Sequence, residues 1–448
     1  MTLQYLTKLF TDMIATNGIQ EAKMTNNHVL RQQIKLAYEQ GAGIFRLAPT
    51  WVPRSFLMPG RRLKLAPQDI YALGAHRGGI DERWFSSTTL ADNGPGTEAD
   101  EGLSYVVYQN QRAFTLKDAI EEDGALLIGQ EMMTVYGGWP VYSKFFDNLG
   151  PIPFHLHQME ADAKRVGRQS KPEAYYFPPQ LNAVENRFPH TYFGLEPGTT
   201  REDIRHCLER WDGGDNHILD YAKAFRLRPG TGWNVPAGIL HAPGSLVTFE
   251  PQWASDVFAM YQSMVEERPV GWELLVKDVP LKHHHDLDYL LDLIDWQANL
   301  NPEFRQSHYI EPLLVDGGAE AGYEDKWVVY GRFQNRQLFS AKELTVQPGV
   351  AMTLKDPGAF GMILLQGYGR ISSGRNPGHP LQTPAMIRYG ELTHDEYFVT
   401  ARAALEGVTI ENLGSEPIVI LRYFGPDTHE DLPDLKHDTA QNLALIPS

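Results

Sequence analysis

Two histidines separated by a single residue are the first candidates for chemistry in this chain. His155 and His157 flank Leu156 in a Pro-Phe-His-Leu-His-Gln segment. Side chains alternate between the two faces of a β-strand, so a strand here would place both imidazoles on one face. Neutral imidazole nitrogens are good ligands for divalent transition metals. The spacing therefore predicts half of a metal site.

Two later residues of the chain can complete that site. Glu173 follows a Lys-Pro pair, and His241 follows a Val-Pro-Ala-Gly turn. Three imidazoles and one carboxylate suit Zn, Fe, Mn, Ni or Co. A His-x-His pair, a carboxylate and a later Pro-x-Gly-x-x-His resemble, in this order, the ligands of the cupin barrels. We therefore predict one divalent metal per chain, bound by His155, His157, Glu173 and His241.

The elements that must position these residues are short strands joined by turns. β-rich segments alternate with Pro- and Gly-rich stretches from residue 44 to about 130, after 225 and again over 327–424. This rhythm is typical of antiparallel β-sandwiches and jelly rolls. The predicted fold class is mainly β with helical insertions. Together with the ligand order, it predicts a cupin fold with two β-sandwich or jelly-roll barrels.

The chain divides into four expected regions. Residues 1–43 form an N-terminal helical segment, and 44–312 form the catalytic metal-binding cupin domain. Residues 327–425 form a second cupin-like β domain, and 426–448 an acidic tail that is expected to be partly disordered. The second domain lacks both a His-x-His pair and a later Pro-x-Gly-x-x-His. We therefore expect it to be degenerate and to bind no catalytic metal.

Helical spacing of apolar residues appears in four places. It predicts two short helices within 1–40, and a helix over 115–122 with Thr115 as its cap. It also predicts a helical insertion in the cupin domain over 199–224 and an amphipathic acidic helix over 286–296.

Composition argues against several classes of protein. Lys plus Arg is 40 against 56 for Asp plus Glu, a net charge of −16 that disfavours nucleic-acid binding. The single cysteine, Cys207, excludes an internal disulfide. No apolar run approaches the roughly 20 residues of a membrane-spanning helix, and the first residues lack the pattern of a signal peptide. We expect a cytoplasmic protein without a membrane or nucleic-acid partner.

Several further motifs follow one another in a fixed order over roughly residues 80–300. Lys-Phe-Phe-Asp at 144–147 precedes the metal strand, and Lys-Pro-Glu stands at 171–173. Residues 235–242 read Val-Pro-Ala-Gly-Ile-Leu-His-Ala, and 250–256 contain Glu-Pro-Gln and Ser-Asp. Together these motifs resemble the type I mannose-6-phosphate isomerases.

The resemblance implies a zinc-dependent aldose–ketose isomerase built on a cupin barrel, acting on a small sugar or sugar phosphate. It places His157, Glu173 and His241 at the metal, and Lys171, Glu250 and Asp256 in the sugar pocket as catalytic residues. In such a reaction the metal polarises the carbonyl or the adjacent hydroxyl, and a carboxylate moves a proton between C1 and C2. A cation steadies the developing oxyanion.

Three positions depart from the family pattern. A glutamine ligand of the family is His155 here, which gives a ligand set also seen in cupin oxygenases. An arginine after the Ser-Asp pair falls on Met260, and a histidine after a Glu-Leu-Trp segment falls on Thr88. Because methionine cannot make charge-assisted hydrogen bonds to an anion, we predict that any isomerase activity favours a neutral or weakly anionic free sugar over mannose 6-phosphate.

Other motifs are expected to be structural. The adjacent His283, His284 and His285 cannot converge on one metal in a regular element, and they predict a solvated turn. Gly-Tyr-Gly at 367–369 lacks the third glycine of a dinucleotide fingerprint. His394 stands alone, and the aromatic run 175–177 is more typical of a core than of a sugar pocket.

Three functions remain open at this point. The leading hypothesis is a metal-dependent aldose–ketose isomerase with an altered substrate, in which zinc is the expected metal. The second is a cupin oxygenase with Fe or Ni on the same four ligands. The third is a sugar-binding protein that retains the barrel without the chemistry. The sequence names neither the sugar nor the oligomeric state.

Overall fold

The strands form open antiparallel sheets. The computed structural model describes residues 28–183, 189–333, 335–374 and 376–435. In these ranges the strands form four larger sheets and two hairpins, and none of the sheets closes into a barrel. The two expected barrels are thus two open sandwiches, because hydrogen bonding does not continue from the edge of one sheet to the edge of the next.

The first sandwich consists of sheets 1 and 2. Sheet 1 has seven strands, in the spatial order Tyr309–Ile310, Gly232–Val235, Glu173–Tyr176, Thr248–Trp253, Val141–Phe146, Gly79–Phe85 and Thr50–Arg54. Sheet 2 has five, in the order Ala222–Arg226, His190–Leu195, His241–Ala242, His155–Leu156 and Ala259–Met260.

The second sandwich consists of sheets 3 and 4. Sheet 3 has seven strands, in the order Ile44–Arg46, Glu396–Val399, Phe360–Gln366, Ile418–Phe424, Ser340–Val346, Tyr323–Val329 and Leu313–Gly318. Sheet 4 has four, in the order Ala351–Leu354, Val408–Asn412, Tyr368–Ser373 and His379–Gln382. The hairpins are Tyr105–Tyr108 with Gln111–Thr115, and Met264–Val265 with Arg268–Pro269.

The two sandwiches pack back to back through sheets 1 and 3. Phe145 and Phe249 of sheet 1 share one buried cluster with Phe398 and Leu421 of sheet 3. The strand Glu173–Tyr176 shows why both faces of sheet 1 are buried. Ala174 and Tyr176 point into this shared core, and the alternate residues Glu173 and Tyr175 point toward sheet 2.

The helices lie around these sheets. Residues 28–41 are helical, and the other helices are Leu116–Ile128, Gln130–Tyr136, Glu160–Arg165, Arg201–Glu209, Trp272–Leu275, Leu287–Asp292, Trp296–Asn299, Phe304–His308 and Ala401–Glu406. In the described part of the chain, no helix is both long enough and apolar enough to span a membrane.

Two of the expected helices differ from the prediction in length. The insertion is α-helical only over Arg201–Glu209, where Thr200 is the cap. Two short 3-10 helices, Trp211–Gly213 and Ile218–Tyr221, follow before strand Ala222–Arg226 begins. The acidic helix is split into Leu287–Asp292 and Trp296–Asn299, because the Asp295 side chain caps a new helix.

The helix predicted over 115–122 does begin at its cap Thr115, whose side chain accepts a hydrogen bond from the Asp118 backbone. Asp123 has a non-helical backbone, with φ −145° and ψ 53°, so the first helical segment ends close to the predicted residue 122 and a second one follows it to Ile128. Two helices are expected within 1–40. Residues 1–27 lie outside the described residues, and residues 28–41 form a helix.

The expected domain boundaries also shift. Ile44–Arg46 pairs with Glu396–Val399, so this strand belongs to the second sandwich rather than to the first. Leu313–Gly318 already belongs to sheet 3, so the second sandwich begins before residue 327. In the expected tail, His429 and Leu432 are each 4% exposed and pack in the interior. Residues 436–448 lie outside the described part.

Candidate metal centre and active site

The three predicted histidines converge between sheets 1 and 2. His155 and His241 lie directly opposite each other on neighbouring strands of sheet 2, and His157 follows one residue after the strand of His155. The ring centroids of His155 and His241 are 4.1 Å apart, and His157 lies 5.2 and 5.1 Å from them. Their candidate ligand atoms all lie within 4.8 Å of one another. The group has the geometry of a metal site.

Backbone carbonyls fix the tautomer of all three rings. The Nδ1 atoms of His155, His157 and His241 lie 2.7, 2.6 and 2.8 Å from the carbonyl oxygens of Pro153, Val257 and Ile239. A carbonyl can only accept, so each Nδ1 carries the hydrogen and each Nε2 keeps its lone pair. This is the orientation that hydrogen-bonded metal-binding histidines have.

Glu173 reaches the same point from sheet 1. Its Oε2 lies 3.0 Å from His157 Nε2, and its Oε1 lies 3.1 Å from His241 Nε2. Glu173 Oε2 and His241 Nε2 are both buried and have no hydrogen-bond partner, and the Tyr175 hydroxyl donates to Oε1 at 2.5 Å. Acceptor atoms that face one another need a positive charge between them. The Lys171 ammonium lies 3.0 Å from Glu173 Oε2 and 3.2 Å from His157 Nε2, whereas, among the described residues, His241 Nε2 faces the carboxylate with no cation beside it. These residues therefore fit a divalent metal.

The protonation states suit metal binding as well. Burial and the neighbouring imidazoles lower the pKa of His155, and burial with Lys171 lowers the pKa of His157 to about 4. Burial opposes ionisation of Glu173, but Lys171, 3.0 Å from its Oε2, outweighs it and holds the carboxyl pKa well below its usual range. At neutral pH His155 and His157 are therefore neutral imidazoles, and Glu173 is a carboxylate.

Six buried side chains of alternating charge lead away from Glu173 and are termed the charge row below. In order they are Lys171, Glu250, Lys144, Glu82, Arg54 and Asp256, and successive nitrogen–oxygen distances are 3.5, 3.4, 2.9, 3.2 and 3.0 Å. None of the six side chains is more than 6% exposed. Each cation in the row lies between two carboxylates.

One carboxyl of the charge row can change its protonation near neutral pH. Burial and the charge of Glu173 raise the pKa of Glu250 to about 8, although Lys144 and Lys171 oppose this. Burial would also raise the pKa of Glu82, but Arg54 and Lys144 lower it to about 2. Glu250 therefore has the properties of a proton donor and acceptor, whereas Glu82 is a fixed charge.

The metal cluster and the charge row line one small cavity of about 40 Å³. Its other lining residues are Phe56, Leu57, Ile152, Tyr175, Pro243, Phe258 and Met260. A larger groove of about 730 Å³ lies between the two sandwiches, but none of the candidate metal ligands lines it. The small cavity is therefore the candidate active site.

Six of the seven residues predicted for the site line this cavity, and the seventh, His241, lies against the lining residue Glu173. The sequence analysis missed Arg54, Glu82 and Lys144 as site residues. Lys144 begins the Lys-Phe-Phe-Asp motif, and Glu82 begins the segment that was matched to the family's Glu-Leu-Trp. These two motifs could have indicated the two residues, whereas nothing in the sequence indicated Arg54. Met260 does line the cavity, whereas Thr88 hydrogen-bonds to the Trp139 carbonyl and does not.

The other histidines that the sequence analysis considered lie away from this cavity. His283 pairs with Asp286 in a turn, and the two ring nitrogens of His394 lie 3.1 Å from Arg46. Of the aromatic run, Tyr175 packs in a buried cluster, as expected, and also lines the cavity. The Tyr176 hydroxyl instead donates to Glu343 of the second sandwich.

Comparison with protein-family models and with curated protein sequences found no match. Solved structures match at 12–16% identity with a TM-score of 0.55. A proposed mannosephosphate isomerase from Archaeoglobus fulgidus is 16% identical over 85% of this chain and 97% of its own. The mannose 6-phosphate isomerase of Bacillus subtilis is 15% identical over 85% and 99%. A zinc-bound mannose 6-phosphate isomerase is 12% identical over 86% and 100%. These likenesses show a distantly shared, cupin-like fold.

Proposed function

We propose that this protein is a metal-dependent aldose–ketose isomerase whose substrate is a neutral sugar. The observation that carries the proposal is the position of Glu250. It is a buried carboxyl with a pKa of about 8, and it lies 3.5 Å from Lys171, which in turn contacts the candidate metal ligand Glu173. A proton-transferring group, a cation and a candidate metal cluster thus share one cavity. The transfer of a proton between two adjacent sugar carbons requires these three groups together.

Each group has a separate task in this proposal. A divalent metal on His155, His157, Glu173 and His241 would supply a Lewis acid, most simply zinc. Glu250 takes the proton from C2 and returns it to C1. Lys171 donates hydrogen bonds to the sugar oxygen on which negative charge develops. The apolar lining residues keep bulk water from the exposed carbanion centre.

The charge row supports a neutral substrate. Arg54, Lys144 and Lys171 are the cations that line the cavity among the described residues, and each already contacts carboxylates within 3.5 Å. A phosphate would have to compete with these built-in partners. A neutral sugar needs only the hydrogen bonds that the fixed charges can offer.

The test is conversion of aldoses by protein purified without added metal and then analysed for metal content. Mannose, lyxose and mannose 6-phosphate are incubated with the protein, and ketose formation is followed by NMR. We expect one metal per chain and a higher kcat/KM for a free aldose than for mannose 6-phosphate. A preference of about a hundredfold for the phosphate ester, about 2.7 kcal/mol of transition-state discrimination, would overturn the neutral-substrate proposal.

A parallel oxygen electrode separates the competing oxygenase. The three-His, one-Glu set also suits Fe and Ni, so oxygen uptake on addition of substrate would identify oxygenase chemistry. Sugar binding with neither ketose formation nor oxygen uptake, at full metal occupancy, would identify a binding protein. Either outcome would contradict the isomerase proposal.

A further inference from the structure

One cation, Lys277, packs against the cavity wall that Asp256 and Phe258 form. Lys277 Nζ donates to the backbone carbonyl of Asp256 at 3.3 Å and lies 4.2 Å from the ring centroid of Phe258. Both of these residues line the cavity. Lys277 therefore contacts two residues of the cavity wall without lining the cavity itself.

The partner of this lysine is an acid from a different part of the chain. The Asp92 carboxylate lies 3.4 Å from Lys277 Nζ and 3.1 Å from Arg168 Nη2. Asp278 is also near, with its carboxylate 3.7 Å from Lys277 Nζ. One carboxylate thus occupies the point on which both cations converge.

The backbone holds Asp92 in place independently of its side chain. Its N–H donates to Asp256 Oδ2 at 3.1 Å, and the next residue, Asn93, accepts a hydrogen bond from Arg54 Nη1 at 2.8 Å. Asp256 and Arg54 are the last two members of the charge row. The segment that carries Asp92 is therefore anchored to the wall of the active site.

We propose that Arg168 and Lys277 form an anion subsite beside the sugar cavity, and that Asp92 fills it with the chain's own carboxylate. The subsite fits the phosphate of a sugar phosphate, and Asp92 excludes that group by occupying its place. A dianionic phosphate would bind the same two cations through charge-assisted hydrogen bonds once the carboxylate is removed. Asp92 is thus a specificity-determining residue. The specificity role rests on the proposed function, but the anion subsite does not.

The binding test uses inorganic phosphate as the probe. Calorimetric titration compares the wild-type protein with Asp92→Asn, which keeps the size and backbone of Asp92 and removes its charge. We expect at least about tenfold tighter phosphate binding to Asp92→Asn, and loss of this gain in Asp92→Asn/Lys277→Met. Asp288→Asn is the matched control, since it removes another carboxylate that pairs with an arginine, Arg205, on the surface.

Three outcomes would overturn the subsite: phosphate binding unchanged in Asp92→Asn, a gain that survives Lys277→Met, or an equal gain in Asp288→Asn. In the kinetic arm, Asp92→Asn should raise kcat/KM for mannose 6-phosphate relative to free mannose by about tenfold. An unchanged ratio alongside the expected phosphate binding would refute the specificity role. If no variant isomerises any sugar, the proposed function fails, and the phosphate titration still decides the subsite.

Discussion

Arg83 connects the active-site sheet to the second sandwich, and its removal gives the sharpest test of how the two units depend on each other. Its Nη1 and Nη2 atoms each lie 2.8 Å from a carboxylate oxygen of Asp395, and Nη2 lies 3.3 Å from Glu396. All three side chains are at most 4% exposed. The residue before it, Glu82, belongs to the charge row and faces the opposite side of the sheet.

Arg83→Met removes the charge and keeps an apolar stem of similar length. It leaves the buried Asp395 carboxylate without its cation, and breaking a buried ion pair in this way costs about 3–5 kcal/mol. Total stability of a folded protein is about 5–15 kcal/mol, so about a fifth of it or more would be lost. Urea unfolding at pH 7, followed by tryptophan fluorescence, measures the change.

Two control variants separate the buried pair from an ordinary charge effect. Arg402→Met removes a surface pair with Glu406, whose partners are 67% and 59% exposed, and should cost less than about 1 kcal/mol. Arg83→Met/Asp395→Asn should recover at least half of the loss, because one unpaired charge is removed as well. A loss below about 1 kcal/mol for Arg83→Met, or no recovery in the double variant, would refute this reasoning.

Three further predictions concern the metal, the proton transfer and the pH dependence of stability. His157→Ala/His241→Ala should reduce bound metal from one per chain to near zero by mass spectrometry, and wild-type metal content would place the site elsewhere. Glu250→Gln should keep the metal and lower kcat by about a hundredfold or more, whereas a loss below tenfold would remove Glu250 from the proton transfer. Burial raises the pKa of Glu396 from 4.5 to about 8, so the folded state holds this proton more tightly than the unfolded chain. Stability should therefore fall as the pH rises from about 4.5 to about 8. Glu396→Gln should flatten this slope in urea unfolding at pH 5, 6.5 and 8, and an unchanged slope would contradict the assignment.

Local patterns in the sequence predicted much of the site. The His-x-His spacing depends only on the geometry of one short segment, and His155 and His157 do converge with His241. The cap at Thr115 was also local, since a capping box needs only residues three apart, and the helix begins there.

What the sequence could not supply were contacts between distant strands. Met260 suggested a pocket without the arginine of the isomerases that the sequence resembles, yet Arg54, from a strand about 200 positions earlier, lies in the cavity and pairs with Asp256. Strand order is set by packing between sheets, and one sequence carries no signal for which strands become neighbours. For the same reason the strand Ile44–Arg46 was assigned to the wrong sandwich.

That strand has a consequence for the synthesis of the protein on the ribosome. Arg46 and its contact His394 are 348 positions apart, so at roughly 5–20 residues per second they emerge on the order of 20–70 s apart. During this interval the first sandwich can form, but the face of sheet 1 that carries Phe145 and Phe249 has no cover. Nascent chains therefore expose an aromatic surface until the strands that carry Phe398 and Leu421 have been synthesised. We expect their yield to depend on chaperones that bind such surfaces.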